Sequence, residues 1–94
     1  IRIEGHTDSV RPRRIADRFP TNWELSAARS LAVLKVLVDE GHMPSTRVLA
    51  AAYGQHRPVK NNSTREGREE NRRVDIVIMP TVHLERIDTA ELWQ

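Results

Sequence analysis

Apolar and polar residues alternate from the first position. Ile1 and Ile3 flank Arg2, Glu4 follows and Gly5 closes the run, a period of two that predicts a strand ending in a turn. From Asn22 the period lengthens. At about 100° per residue, Ala27, Leu31, Leu34 and Val38 fall within about 60° of one another and predict a core-facing helical stripe, with Asn22, Ser26 and Arg29 in a polar sector away from it. Thr21 and Glu24 have the spacing of a capping box that opens this helix. Asp39-Glu40-Gly41 closes it, with Gly41 suited to a left-handed C-cap and Pro44 just beyond.

Two further apolar runs lie between turn residues. Arg47 to Tyr53 predicts a second strand, and Arg73 to Met79, which alternates before Pro80, a third. Between them, Gly54 to Ser63 reads as a polar loop and Thr64 to Asn71 as a short charged helix. Thr89 to Trp93 suits either a terminal helical turn or a frayed end. The order strand, helix, strand, helix, strand points to one layered α/β or α+β domain, helices on a small sheet, with no internal repeat.

Composition narrows the function classes. At 94 residues, with 38% hydrophobic and 30% charged positions, the chain supports one modest core. It has no cysteine, hence no disulfide framework or thiolate zinc site. The longest strongly apolar stretch, Leu31 to Val38, is broken by Lys35 and falls far short of the ~20 residues of a membrane span. Opening on strand-like Ile1-Arg2-Ile3-Glu4, without a leader, the chain reads as part of something longer.

All basic residues but Lys35 and Lys60 are arginine, which sets the sequence pI near 9.7 although the formal charge is only +2. The loop from Ser9 to Pro20, with Arg11, Arg13, Arg14 and Arg18, is the basic surface segment. Thr64 to Arg73 interleaves acidic with basic residues and has no aromatic ring to stack on a base, which argues against nucleic acid. The four histidines are scattered without metal-site spacing, so His6 reads as supporting a turn, and neither metal nor cofactor is expected. Trp23 reads as a packing residue, and Gly5 as a tight turn or a close backbone approach.

The chemistry-bearing residues recur as three ordered motifs: Gly5-His6-Thr7-Asp8 after the first strand, Asn22-Trp23-Glu24-Leu25-Ser26-Ala27-Ala28-Arg29 opening the helix, and Asn71-Arg72-Arg73-Val74-Asp75-Ile76 entering the third strand. Taken alone, Asp8 also suits a turn, and Arg29 a solvated helix face or an internal salt bridge to Asp8. A carboxylate and a guanidinium on rigid elements also suit the ammonium and carboxylate of an amino acid, because both bonds are charge-assisted and directional. Amides free at the helix start near Asn22 add to an anion's welcome.

In this order the motifs resemble the C-terminal peptidoglycan-binding domain of the OmpA-like family, and the Asn-Trp-Glu-Leu-Ser run its flagellar-stator, MotB-like branch. The resemblance implies a two-layer α/β sandwich over residues 1–80, without the family's first strand and helix, and a C-terminal extension over 81–94. It implies that Asp8 and Arg29 grip the diaminopimelate of the stem peptide, that Arg72 adds a second carboxylate contact, and that Thr7, Asn22, Leu25 and Ser26 line the same site. It further implies a homodimer, a MotA-like stator partner reached through a membrane segment, and a periplasmic domain of a bacterial inner-membrane protein that anchors a motor to the wall. Outer-membrane, lipoprotein and secretion-system anchors with the same ligand, and a dimerisation module without ligand, are the alternatives. Catalysis is not expected: no carboxylate pair is placed across a glycosidic bond, and Ser26 has no base in its motif.

Overall fold

The structure, a computed structural model, describes residues 1–79. The elements follow the order read from the sequence: β1 (Arg2–Gly5), α1 (Asn22–Asp39), β2 (Leu49–Ala52), α2 (Arg65–Asn71) and β3 (Val74–Val77), with a single 3-10 turn at Ser45–Arg47. The terminal turn expected at Thr89 to Trp93 and the extension 81–94 lie outside the described residues. No helix among the described residues is long and apolar enough to cross a membrane.

The sheet is mixed, in the order β2-β1-β3, which makes the fold α+β. β1 runs parallel to β2, the crossover being α1, and antiparallel to β3. Ile3 pairs with Ala50 and Ile76, and Gly5 with Ala52 and Val74, so these residues share the face that α1 covers. Arg2, Glu4 and Asp75 stand on the opposite face.

The face that α1 buries differs from the expectation. Asn22, Ser26 and Ser30 are its buried residues, whereas Leu31 is 45% exposed. Backbone proximity is the cause: a Cβ on Gly5 would sit 2.0 Å from the Ser26 carbonyl oxygen, so helix and strand touch where neither offers bulk. Only short side chains fit such a crossing, and both hydroxyls are satisfied within the helix, Ser26 donating to Trp23 O and Ser30 to Ala27 O at 3.0 Å each. Ile3 is the one fully buried apolar side chain among the described residues.

Local signals fare better. The capping box forms: the Thr21 amide donates to Glu24 Oε2 (2.8 Å), its hydroxyl donates to the same carboxylate, and it accepts from the Trp23 amide. These bonds hold the exposed Glu24 carboxyl below its usual range, chiefly through the Thr21 hydroxyl. At the other end the left-handed residue is His42 (φ 55°), not Gly41. Gly41 is needed there for closeness instead, since a Cβ would lie 2.7 Å from Leu37 O.

Candidate functional site

The topology gathers the motifs at one end of the sheet. β1 and β2 are parallel, so the segments leaving them, His6 to Asp8 and Tyr53 to Gln55, emerge together at their C-terminal ends. α1 starts at this end and β3, being antiparallel, is entered from it through Arg72 and Arg73. Four stretches far apart in sequence, His6 to Asp8, the start of α1, Tyr53 to Gln55 and Arg72-Arg73, thus share one rim.

The rim is built from buried polar groups. Thr7 is 2% exposed; its amide donates to Gly54 O (2.9 Å) and its hydroxyl to Asp8 O (2.8 Å). The Asn22 amide nitrogen donates to Asp8 O and Val10 O (3.2 Å each) and to Gln55 Oε1 (3.0 Å), which ties the loop after β1 and the loop after β2 to the first residue of α1. Ser26, fully buried, accepts from the Gly54 amide at 3.0 Å. Gly54 has φ +59°, the left-handed region that favours glycine, and this turns the second loop inward. Thr7, Asn22 and Ser26 are therefore the scaffold of the rim, and Leu25 is half-buried one turn before Arg29 on the same helix.

On this scaffold sit three charges. Asp8 Oδ1 accepts from the Val10 amide (2.9 Å), an Asx turn, and Oδ2 is 2.6 Å from Arg72 Nη1. The ion-pair partner of Asp8 is thus Arg72, not Arg29 as the sequence had allowed. Arg29 makes no hydrogen bond or ion pair among the described residues, and its Nη1 is buried without a partner. Burial pulls the Arg29 guanidinium below its ordinary pKa range; nearby Asp8 opposes that shift, and Arg72 adds to it. The group stays charged, as arginine does at any physiological pH. Asn22 Oδ1 is a second buried polar atom without a partner here, so the rim offers an acceptor and a cationic donor at once.

Gly54 and Gln55 were missed by sequence reasoning, and Asn71 was quoted in the third motif without a role of its own. Asn71, fully buried at the end of α2, accepts from the amides of Val59 (2.9 Å) and Lys60 (3.0 Å) and donates to Lys60 O (2.9 Å) and Asn62 Oδ1 (2.8 Å). It fixes the loop before α2 and, with it, the residue that follows, Arg72. The signal was present in the Asn-Arg-Arg motif, but a structural asparagine and a ligand-binding one look alike in sequence.

A second charged cluster lies on the sheet face away from α1. Glu4, His6 and Asp75 each offer one potential ligand atom, all within 4.8 Å of one another, so the histidine that the sequence read as a turn support sits in a polar cluster. Each carboxylate already faces a guanidinium: Arg2 Nε is 2.6 Å from Glu4 Oε2, and Arg73 Nε is 3.1 Å from Asp75 Oδ1. His6 is 2% exposed and stacks on Tyr53 (centroids 5.2 Å apart, planes 8°). Burial and then Arg73 lower its pKa from 6.5, against Asp75 and Glu4, so it is predominantly neutral at pH 7. Trp23, expected to pack, is 51% exposed and stacks on His56 at 4.8 Å.

The model of the OmpA family matches residues 1–72. The uncharacterized protein YtxE of Bacillus subtilis (strain 168) is 49% identical over 79 residues, 83% of this chain and 31% of that protein. Among solved structures, the C-terminal domain of Helicobacter pylori MotB superposes with a TM-score of 0.75 at 30% identity, over 86% of this chain and 59% of that one. The cell wall anchor of the T6SS from Pseudomonas aeruginosa gives 0.70 at 34% identity, over 78% and 49%. The chain spans about a third of the length of the curated relative it matches.

Proposed function

The chain belongs to the OmpA family, and from that premise we propose that it binds peptidoglycan without catalysis, as the periplasmic wall-anchoring domain of a MotB-like stator protein. The ligand is the diaminopimelate of the stem peptide. Its ammonium goes to Asp8 and its carboxylate to Arg29, with Arg72 as a second carboxylate contact. Thr7, Asn22 and Ser26 hold the two loops that shape the site, and Leu25 backs Arg29 on the same face of α1.

The observation that carries this reading is the Arg29 guanidinium: buried at the rim, beside Asp8, with a nitrogen that no protein group satisfies. A buried unsatisfied donor costs about 1–3 kcal/mol, and this one, unlike Arg2 Nε and Arg73 Nη1, belongs to a guanidinium with no carboxylate of its own, which a ligand's carboxylate would supply. Likeness to a MotB domain and to a cell wall anchor supports the wall as the source of that ligand. The Ser26 hydroxyl is engaged on both sides, which does not suit a nucleophile. The stator role brings a homodimer, a MotA-like partner and inner-membrane attachment. The secretion-system likeness favours a second reading in which the ligand is the same and only the attachment differs.

Titration of a diaminopimelate-containing muropeptide by calorimetry is the test. Saturable binding is expected, weakened about tenfold or more by either Asp8→Asn or Arg29→Gln. Equal binding by wild type and both variants overturns the assignment of the site.

A further inference from the structure

Arg72 stands where the ammonium of an amino-acid ligand has to go. Its Nη1 is 2.6 Å from Asp8 Oδ2, and the other oxygen of Asp8 is taken by the Val10 amide, so each oxygen of that carboxylate has a partner. The two arginines are held differently. Arg29 rises from the second turn of α1 with its guanidinium partly buried, whereas Arg72 caps the short α2, its side chain is 39% exposed, and its bond to Asp8 is the one side-chain bond it makes among the described residues. The Asp8 side chain is only 10% exposed, so the pair opens only when another cation takes the carboxylate, whereas the Arg72 end is free to turn into solvent.

Two guanidiniums against one carboxylate leave the cluster with an excess positive charge, which treats ligands unequally. A plain carboxylate pairs with Arg29 and leaves Arg72 on Asp8. A plain amine has to expel Arg72 and then stands beside two uncompensated cations. An amino acid expels Arg72 as well, but it brings the carboxylate that the released guanidinium needs.

We infer that Arg72 is the specificity-determining residue of this site: an internal cation that competes for Asp8, excludes simple amines and makes recognition of an ammonium conditional on a carboxylate in the same molecule. This rests on the amino-acid reading of the site given above and adds an exchange step to it. On binding, the Arg72–Asp8 pair opens, the ligand's ammonium takes Oδ2, and Arg72 turns to the ligand's carboxylate.

Three probes with matched carbon chains separate the possibilities in calorimetric titrations: meso-diaminopimelate, pimelate, which lacks the ammonium groups, and 1,5-diaminopentane, which lacks the carboxylates. Wild type is expected to bind the first two and not the third. In Arg72→Gln 1,5-diaminopentane binding becomes measurable, so that the ratio of diaminopimelate to 1,5-diaminopentane affinity falls about threefold or more below the limit that wild type sets. Arg72→Met, which keeps the stem and removes every donor, shifts the ratio in the same direction, and unchanged unfolding midpoints show that both variants fold. No binding of 1,5-diaminopentane by either variant, with wild-type diaminopimelate binding intact, overturns the competitor role and spares the site. Binding of 1,5-diaminopentane by wild type overturns it too. No diaminopimelate binding by wild type or either variant overturns the amino-acid reading itself, and the exchange step with it.

Discussion

Within five residues, β1 and the turn after it pass from one charged cluster to another, and the two are not alike. Around Glu4 and His6, each carboxylate has its own guanidinium, Arg2 for Glu4 and Arg73 for Asp75, and the histidine between them is buried and predominantly neutral. Around Asp8, one carboxylate serves Arg72 while Arg29 stays beside it with a buried nitrogen unsatisfied. Balance describes the first and surplus the second. The first cluster is neutral within itself, whereas the second has a guanidinium left over, and the proposed ligand would supply its missing carboxylate. Unsatisfied atoms alone do not separate the two, since Arg2 Nε, both His6 ring nitrogens and Arg73 Nη1 are also buried without a hydrogen-bond partner; the count of carboxylates against guanidiniums does.

Gly5 offers the strongest way to break this comparison, because it sits between the clusters and touches α1. Gly5→Ala places a methyl 2.0 Å from Ser26 O, a backbone atom with no rotamer to escape into. A loss of about 3 kcal/mol or more is expected in urea unfolding. The damage should be one-sided. Pushing α1 off β1 moves Arg29 away from Asp8, while Glu4, His6 and Asp75, all carried by the sheet strands or their ends, keep their spacing; muropeptide affinity should therefore fall in whatever fraction stays folded.

Asn71→Ala acts on the surplus cluster from the other side. It deletes four hydrogen bonds of a fully buried side chain and frees the loop that fixes the end of α2. A cost of about 2 kcal/mol is expected in the same assay, together with a weaker hold of Arg72 on Asp8. Thr21→Ala, which removes the capping hydroxyl, should cost about 1 kcal/mol and leave both clusters assembled, so that affinity changes little once stability is allowed for.

The balanced cluster should be the one that answers to acid. Because burial lowers the His6 pKa in the folded protein, the unfolded chain binds the proton more readily, and stability rises with pH through that window. This contribution is fully present above the unfolded value near 6.5 and is lost as pH falls toward the lower folded value. The expected result is an unfolding midpoint that drops on acidification below pH 6.5 in wild type and drops less in His6→Gln. Equal slopes in the two proteins would remove His6 from the account.

The sequence alone determined the element order and the capped start of α1, since turn chemistry, capping and strand alternation act over a few residues, while the α+β class rested on the family resemblance. It also brought forward Asp8, Arg29 and Arg72, which the structure gathers at one rim. Tertiary structure decided what those residues do to one another. The face that α1 buries follows from the close crossing at Gly5 and not from the apolar stripe of the helix, because contact distance between two backbones is not encoded in either segment. Likewise, that Asp8 pairs with Arg72, 64 residues away, and leaves Arg29 unsatisfied depends on where the antiparallel β3 enters the sheet. Local rules place a charge on an element; only the packing of elements says which opposite charge reaches it first.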